Sequence, residues 1–203
     1  MKFRACLVAV FSLLLVGCGG KRLAVDPQWK TPPKNFTILV SEPYVANSDD
    51  VTDDFGDEDS FKQWLLAYMD SAFSSYTEVP HTVMQAKDET FIMSQAPLED
   101  GYIAIPLPEK EKIEEISGIV VSIHPIRFWR DTDICHNRNG CIGNNNLNLQ
   151  VMYSIVSVDD TKVLAYGGAY DKSSFTFAMT KGDWESVVKG IAKKVVKETP
   201  LEK

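Results

Sequence analysis

The chain has 203 residues, and 28 acidic against 21 basic side chains give it a formal net charge of -7. This acidic balance disfavours nucleic-acid binding, which depends on a basic surface that displaces counterions from phosphates. It also disfavours adhesion to anionic lipid headgroups by charge alone. Hydrophobic residues make up 44% of the chain, which is enough apolar material for the core of a folded domain.

The first twenty residues have the parts of a secretory signal. A positive start with Lys2 and Arg4 precedes an apolar run from Ala5 to Val16, which is too short to span a bilayer. The segment Leu15-Val16-Gly17-Cys18 resembles the lipobox of bacterial lipoproteins. The resemblance implies cleavage after residue 17 and attachment of acyl chains, palmitate included, to Cys18.

The lipobox resemblance also implies a location. Removing residues 1–17 takes away Lys2 and Arg4 but no acid, which leaves a formal net charge of -9. Membrane attachment is then expected from the lipid, because several acyl chains together anchor a protein stably. Gly19, with no Asp after the cysteine, is similar to outer-membrane lipoproteins under the enterobacterial sorting pattern. We therefore expect a cell-envelope protein, anchored to the outer membrane and facing the periplasm.

Two cysteines remain after processing, since Cys6 leaves with the signal and Cys18 carries the lipid. In an oxidising compartment, Cys135 and Cys141 are expected to form a disulfide within a polar loop. A metal site made of Cys135, His136 and Cys141 is the alternative, although zinc usually takes four ligands. We expect no cofactor.

The pattern predicts a flexible tether at residues 18–35 and a single globular domain at residues 36–203, because prolines and glycines concentrate before Phe36. Residues 49–59 are strongly acidic. A solvated loop that leads into a helix N-terminus is one interpretation. A calcium site is the other, with Asp49, Asp53 and Asp57 as candidate ligands.

Helical spacing of apolar residues predicts a helix from residue 60 to about 76, with Ser60-x-x-Gln63 as its capping box, and a C-terminal helix that opens near Asp183. A short helix is expected at residues 109–116. The predicted strands are 36–40, 82–84 and 90–93 (joined by a turn at 87–89), 102–105, 118–130 with an edge or bulge at Pro125, and a hairpin of 147–158 and 162–170 with a bulge at Gly167-Gly168.

These elements predict an α+β (or α/β) domain with one mixed, partly antiparallel sheet and two main helices packed on it. The order of elements behind a lipobox resembles that of small α/β envelope lipoproteins such as the curli-secretion lipoprotein and activators of peptidoglycan synthases. The resemblance covers the domain in outline and carries no functional residue over to this chain.

Catalytic patterns do not emerge. The histidines at positions 81, 124 and 136 lie in different local settings, and the chain has no nucleophile elbow, metalloprotease helix, phosphate loop or dinucleotide fingerprint. We therefore expect a protein that is not an enzyme.

One basic and aromatic island, Arg127-Phe128-Trp129-Arg130, leads into the loop that contains Arg138. Arginine and tryptophan are typical of interaction hot spots, so Arg127, Trp129, Arg130 and Arg138 are candidate residues for binding a partner or ligand. The alternative is that the two aromatic residues belong to the core and the arginines pair with Asp131 and Asp133.

The leading functional hypothesis is a lipid-anchored envelope adaptor that binds a protein partner through residues 127–148. A carbohydrate- or cell-wall-binding module, which would use Trp129 and the Asn-rich loop, is the alternative. A hydrolase is the third.

Overall fold

The computed structural model describes residues 23–133 and 144–203, and within them the chain forms nine strands and three α-helices. The helices are α1 (Ser48–Phe55), α2 (Glu58–Ser74) and α3 (Lys181–Val196). The strands are β1 (Leu23–Val25), β2 (Phe36–Val40), β3 (Pro43–Val45), β4 (His81–Gln85), β5 (Phe91–Leu98), β6 (Gly101–Pro108), β7 (Ile119–Asp133), β8 (Asn144–Ser157) and β9 (Lys162–Phe175).

Seven of these strands form one mixed sheet. Its order is β1-β9-β8-β7-β2-β4, and β3 pairs with the second half of β7. Strands β2, β3 and β4 run parallel to their neighbours, whereas β1, β7, β8 and β9 pair antiparallel with one another. The hairpin β5–β6 is a separate two-stranded sheet. The α+β prediction is confirmed, and α1 adds a third helix in the acidic segment.

The main core lies between one face of the sheet and the helices. Apolar side chains recur at helical spacing in α2 and α3, and burying them against the sheet holds both helices in place. Phe61 of α2, Phe128 of β7 and Trp184 of α3 meet there with ring centroids 5.0–5.7 Å apart. We call this side the helix face. A smaller core on the opposite side joins Leu39 and Val120 of the sheet to Phe91 of the hairpin β5–β6.

The hairpin that the sequence predicts between residues 82 and 93 does not form. Strand β4 pairs in parallel with β2, and β5 pairs instead with β6 across a turn at which Gly101 adopts a φ of 143°. Glycine adopts such a backbone conformation readily because it has no Cβ. The predicted helix at 109–116 is reduced to a single 3₁₀ turn at Lys110–Lys112.

Two irregularities were expected in the long strands. The one at Pro125 is confirmed, since the register of β7 against β8 shifts between Ile123 and Ile126 and the His124–Pro125 peptide bond is cis. The bulge expected at Gly167-Gly168 is misplaced. The register of β8 against β9 shifts between Ile155 and Val156 instead.

Part of the predicted tether belongs to the sheet. Leu23–Val25 form β1, which pairs with β9, and Leu23, Val25 and Trp29 pack against the main core. The ordered domain thus includes residues ahead of Phe36.

Helix α2 begins two residues before the predicted position. Its N-cap is Asp57, whose carboxylate accepts a hydrogen bond from the Ser60 N–H at 2.6 Å, so the assignment of Ser60 as the cap is wrong. A capping box is present at α3, where Thr180 and Asp183 exchange hydrogen bonds. No helix in the described ranges is long and apolar enough to cross a bilayer.

The Asp57 cap predicts a pH-dependent stability. The hydrogen bond from the Ser60 N–H lowers the pKa of Asp57, so its stabilisation is complete above the unfolded-state pKa of about 3.9 and is lost as pH falls through the lower folded-state pKa. We expect Asp57→Ala to lower Tm at pH 7 and Asp57→Asn, which keeps a capping oxygen, to lower it less. The difference in Tm between wild type and Asp57→Ala should shrink between pH 6 and pH 2. A constant difference would contradict this role.

Candidate functional site

Alternation along β7 places the basic and aromatic island on both sides of the sheet. Ile126 and Phe128 are fully buried on the helix face. Because successive side chains of a strand point to opposite sides, Arg127 and Trp129 lie on the other side. Arg127 is exposed and Trp129 is half-buried.

Strand register places further side chains beside these two. Residues directly opposite each other in paired strands point to the same side of a sheet. We define the open sheet face as the three resulting rows of residues: Tyr44, Arg127, Gln150 and Tyr170; Trp129, Asn148 and Lys172; and Asp131, Asn146 and Ser174.

The hairpin β5–β6 covers the neighbouring part of the same side. The Ser154 hydroxyl donates to the carbonyl of Pro106, and the Tyr166 hydroxyl donates to the carbonyl of Pro97. Ile103 also approaches Gly168, where an added Cβ would lie 3.4 Å from its Cδ1. The hairpin therefore covers the part of this side that contains Ser154, Tyr166 and Gly168, and the open sheet face begins where this cover ends.

Two aromatic residues on this face are held by a buried amide. Trp129 and Tyr170 stack with ring centroids 5.9 Å apart and an interplanar angle of 29°. The Tyr170 hydroxyl donates to Oδ1 of Asn148 at 2.6 Å, and Nδ2 of Asn148 donates to the Trp129 carbonyl at 3.3 Å. Burial raises the pKa of Tyr170, which keeps its hydroxyl protonated as a donor. The Asn148 amide thus orients the Tyr170 ring, and the Trp129 ring stacks beside it.

Most charges on the open sheet face have partners on the face or next to it. Nδ2 of the buried Asn146 donates to Oδ1 of Asp131 at 2.9 Å. Lys172 lies 3.0 Å from Oδ2 of Asp133, and its hydrogen bond lowers the pKa of that carboxyl. Arg127 is different, because no carboxylate in the described part of the chain forms an ion pair with it. It presents an unpaired guanidinium in the row between Tyr44 and Gln150.

Arg130 has a structural role. Its Nη1 lies 2.6 Å from Oδ1 of Asp50 in α1, and its guanidinium lies 5.4 Å from the ring centroid of Phe175. The Asp50 side chain is only 7% exposed. The suggested pairing of Arg130 with Asp131 or Asp133 is therefore wrong, and Arg130 holds α1 against the sheet.

The acidic segment is largely structural. Asp50 pairs with Arg130, and Oδ2 of Asp54 accepts a hydrogen bond from the buried Trp184 indole at 2.7 Å. The calcium candidates Asp49 and Asp53 lie exposed on α1, while Asp57 caps α2. Across residues 23–133 and 144–203, no three potential metal ligands gather at one point.

The described histidines serve separate cores. His81 of β4 stacks on Phe36 in the main core. His124 of β7 stacks on Phe91, on the side of the hairpin, and burial lowers its pKa. The two histidines are packed apart from each other, and the positive charge of Arg127 on the open sheet face adds to the lowering of the His124 pKa.

Several predicted residues lie outside the described ranges. These are Cys18, Cys135, His136, Arg138 and Cys141. The lipid anchor, the disulfide and the role of Arg138 stay predictions. Strands β7 and β8 end and begin next to that segment, at Asp133 and Asn144, beside the third row of the open sheet face.

Sequence reasoning found only Arg127 in the first row and missed Tyr44, Gln150 and Tyr170. Tyr44 is 65% exposed and Tyr170 is 38% exposed. The signal for Tyr170 was available, because the alternation in the predicted hairpin places Tyr170 and Gln150 on one side of the sheet. No local signal marks Tyr44, since its position follows from the parallel pairing of β3 with β7.

No family model and no curated protein matches this chain. Among solved structures it is similar to the PelC dodecamer from Paraburkholderia phytofirmans, at 8% identity and a TM-score of 0.42, over 89% of this chain and 98% of that one. It is also similar to a minor lipoprotein from Acinetobacter baumannii, at 12% identity and a TM-score of 0.33, over 81% and 87% of the two chains. Lipoprotein GNA1162 from Neisseria meningitidis shows 12% identity and a TM-score of 0.35, over 82% and 100%. Likenesses at this level carry no argument about function.

Proposed function

We propose that this chain is a lipid-anchored adaptor of the bacterial cell envelope that binds a protein partner through the open sheet face and performs no catalysis. The observation that carries the proposal is the setting of Arg127 on this face. Arg127 is an exposed cation without an acidic partner in the described residues, set between aromatic and amide side chains in an otherwise strongly acidic chain.

The chemistry of the face suits a protein partner. Arginine and aromatic residues are enriched at interface hot spots, where surrounding contacts exclude water. A carboxylate on the partner would pair with the Arg127 guanidinium in a bidentate way. Tyr44 lies directly beside that position, and Tyr170 lies in the same row on the far side of Gln150. Because Lys172 is already paired and Arg130 lies on the other side of the sheet, Arg127 is the cation on this face that a partner would meet first.

Strand β1 begins only five residues after Cys18, which supports a short connection between the lipid and the domain. Only residues 19–22 separate Cys18 from β1. A fully extended chain spans at most about 3.6 Å per residue, so five steps cover roughly 18 Å. A lipid on Cys18 would therefore hold the β1 edge of the sheet near the membrane surface. A flexible tether over all of residues 18–35 would have allowed a larger distance between the domain and the membrane.

A glycan is the second candidate ligand. Trp129 and Tyr170 supply aromatic rings, and Gln150, directly opposite Tyr170, supplies a neutral amide beside them. Amides donate and accept hydrogen bonds and so match sugar hydroxyls, while aromatic faces offer large apolar contact area.

The proposal is tested by crosslinking in cells, with capture of the lipidated chain and of a Cys18→Ala variant. We expect one envelope protein to be enriched with the anchored form and lost or strongly reduced with Cys18→Ala. Retention of the purified domain on isolated cell wall, with no specific protein captured, would favour the glycan and contradict the adaptor.

A further inference from the structure

The edge strand β4 presents unpaired backbone groups. The Phe36 N–H donates to the Pro80 carbonyl and the Ala86 N–H donates to the Val40 carbonyl. These two hydrogen bonds lie at the ends of the parallel pairing between β2 and β4. Because backbone groups alternate in direction along a strand, those of Thr82 and Met84 point toward β2. The N–H and C=O groups of His81, Val83 and Gln85 therefore point away from the sheet, and no described residue bonds to them.

This edge lacks the usual protection against strand pairing. Natural sheets guard their edges with lysine, proline, bulges or very short strands. The opposite edge strand, β1, has only three residues, and the hairpin strands carry Pro97, Pro106 and Pro108. Strand β4 has five residues with no lysine, proline or bulge, and its Met84 is 44% exposed.

We propose that two copies of this chain pair through β4 in antiparallel orientation about a two-fold axis at Val83. In this register, Val83 meets Val83 of the second copy and His81 meets Gln85. All three outward-facing residues then form hydrogen-bonded pairs, so the edge is complementary to itself. The two seven-stranded sheets become one continuous sheet.

Charge favours a second copy at this position. Residues 79–86 contain no carboxylate and no lysine or arginine, within a chain of net charge -7. Two acidic chains that approach elsewhere would bring like charges together, whereas the residues of β4 that form the contact carry no formal charge of their own. The same register places Met84 directly opposite Thr82 of the second copy, which covers an exposed apolar side chain. The open sheet face, built on β3, β7, β8 and β9, stays free, so this inference does not depend on the proposed function.

Cysteine crosslinking tests the register. Full-length Thr82→Cys and Met84→Cys chains, each with a different tag, are co-expressed in the envelope and oxidised. Opposite residues in a non-hydrogen-bonded antiparallel pair have Cα atoms about 4.5 Å apart, within disulfide range, whereas residues two positions off register lie about 7–8 Å apart. We expect dimers that contain both tags to exceed single-tag dimers at least fivefold, and wild type to give none at this site.

A second measurement distinguishes backbone hydrogen bonding between the two copies of β4 from contact between their side chains. Gln85→Pro removes an outward N–H without touching the bonds to β2, and Gln85→Ala keeps that N–H. By sedimentation of the detergent-solubilised lipoprotein, wild type and Gln85→Ala should be dimeric and Gln85→Pro monomeric, with unchanged circular dichroism. A monomeric wild type, equal crosslinking of all cysteine pairs, or a Met84→Cys disulfide to a different protein would each overturn the proposal.

Discussion

Replacement of Arg130 by Ala is expected to lower the free energy of unfolding by about 2–3 kcal/mol. The Asp50 carboxylate is nearly buried, and its partner Arg130 lies 2.6 Å away. Removing one member of a buried pair leaves an uncompensated charge, which costs about 3–5 kcal/mol. We expect a smaller value because the Arg130 side chain is 40% exposed, so water reaches the Arg130 side of the pair. Loss of the contact with Phe175 adds to the effect.

Arg127→Ala is the matched control for this prediction, because the same residue type three positions away has no acidic partner among the described residues. Its effect on stability should stay within about 0.5 kcal/mol. Urea unfolding of both variants, with Asp50→Asn and the double variant Asp50→Asn/Arg130→Ala, measures the coupling between the two side chains. Equal stability of Arg127→Ala and Arg130→Ala would contradict the structural role of Arg130.

Gly190→Ala is expected to destabilise the fold by up to about 2 kcal/mol, the cost of overpacking less the roughly 1 kcal/mol by which alanine favours a helix over glycine. A Cβ at position 190 of α3 would lie 1.2 Å from Oδ2 of Asp171. The Asp171 carboxylate would have to move, which breaks its 2.9 Å ion pair with Lys194. Overpacking of this kind typically costs 1–3 kcal/mol. Gly190 therefore leaves the space beside α3 that the Asp171 side chain occupies.

Gly182→Ala is the control in the same helix. A Cβ there would meet only Oγ1 of Thr180 at 3.5 Å, an ordinary contact. The change should be neutral or stabilising by up to about 1 kcal/mol, in line with helix propensity. Thermal unfolding of the two variants settles the comparison. A Gly190→Ala protein as stable as Gly182→Ala would mean that Asp171 and α3 are not packed this closely.

Alternation and helical spacing in the sequence predicted the elements that are formed by residues close together in the chain. The hairpin of β8 and β9 follows from alternation on both sides of Asp159-Asp160-Thr161, and α2 follows from apolar residues at helical spacing. The partners of β4 and β5 did not follow, because β4 pairs with β2 more than forty residues earlier in the chain. Short strands with similar propensity carry no information on such pairings.

The candidate site was predicted in part for the same reason. Arg127 and Trp129 lie on the open sheet face, as a recognition role requires, but Arg130 does not. Its partner Asp50 is 80 residues away in sequence, and Asp54 contacts Trp184 across 130 residues. The sequence predicted a solvated acidic loop here. In the structure, Asp50 and Asp54 instead bond side chains of the sheet and of α3 at the edge of the main core.

The yield of crosslinked partner for variants of the open sheet face tests the central claim most directly. Arg127→Ala and Tyr44→Ala are compared with Lys189→Ala and Phe177→Ala, which remove an exposed cation and an exposed aromatic ring elsewhere. Hot-spot residues contribute about 1–2 kcal/mol or more, so the first two variants should each reduce capture roughly tenfold at unchanged protein level, and the other two should leave it unaltered. Full capture by Arg127→Ala and Tyr44→Ala would contradict a partner site on this face.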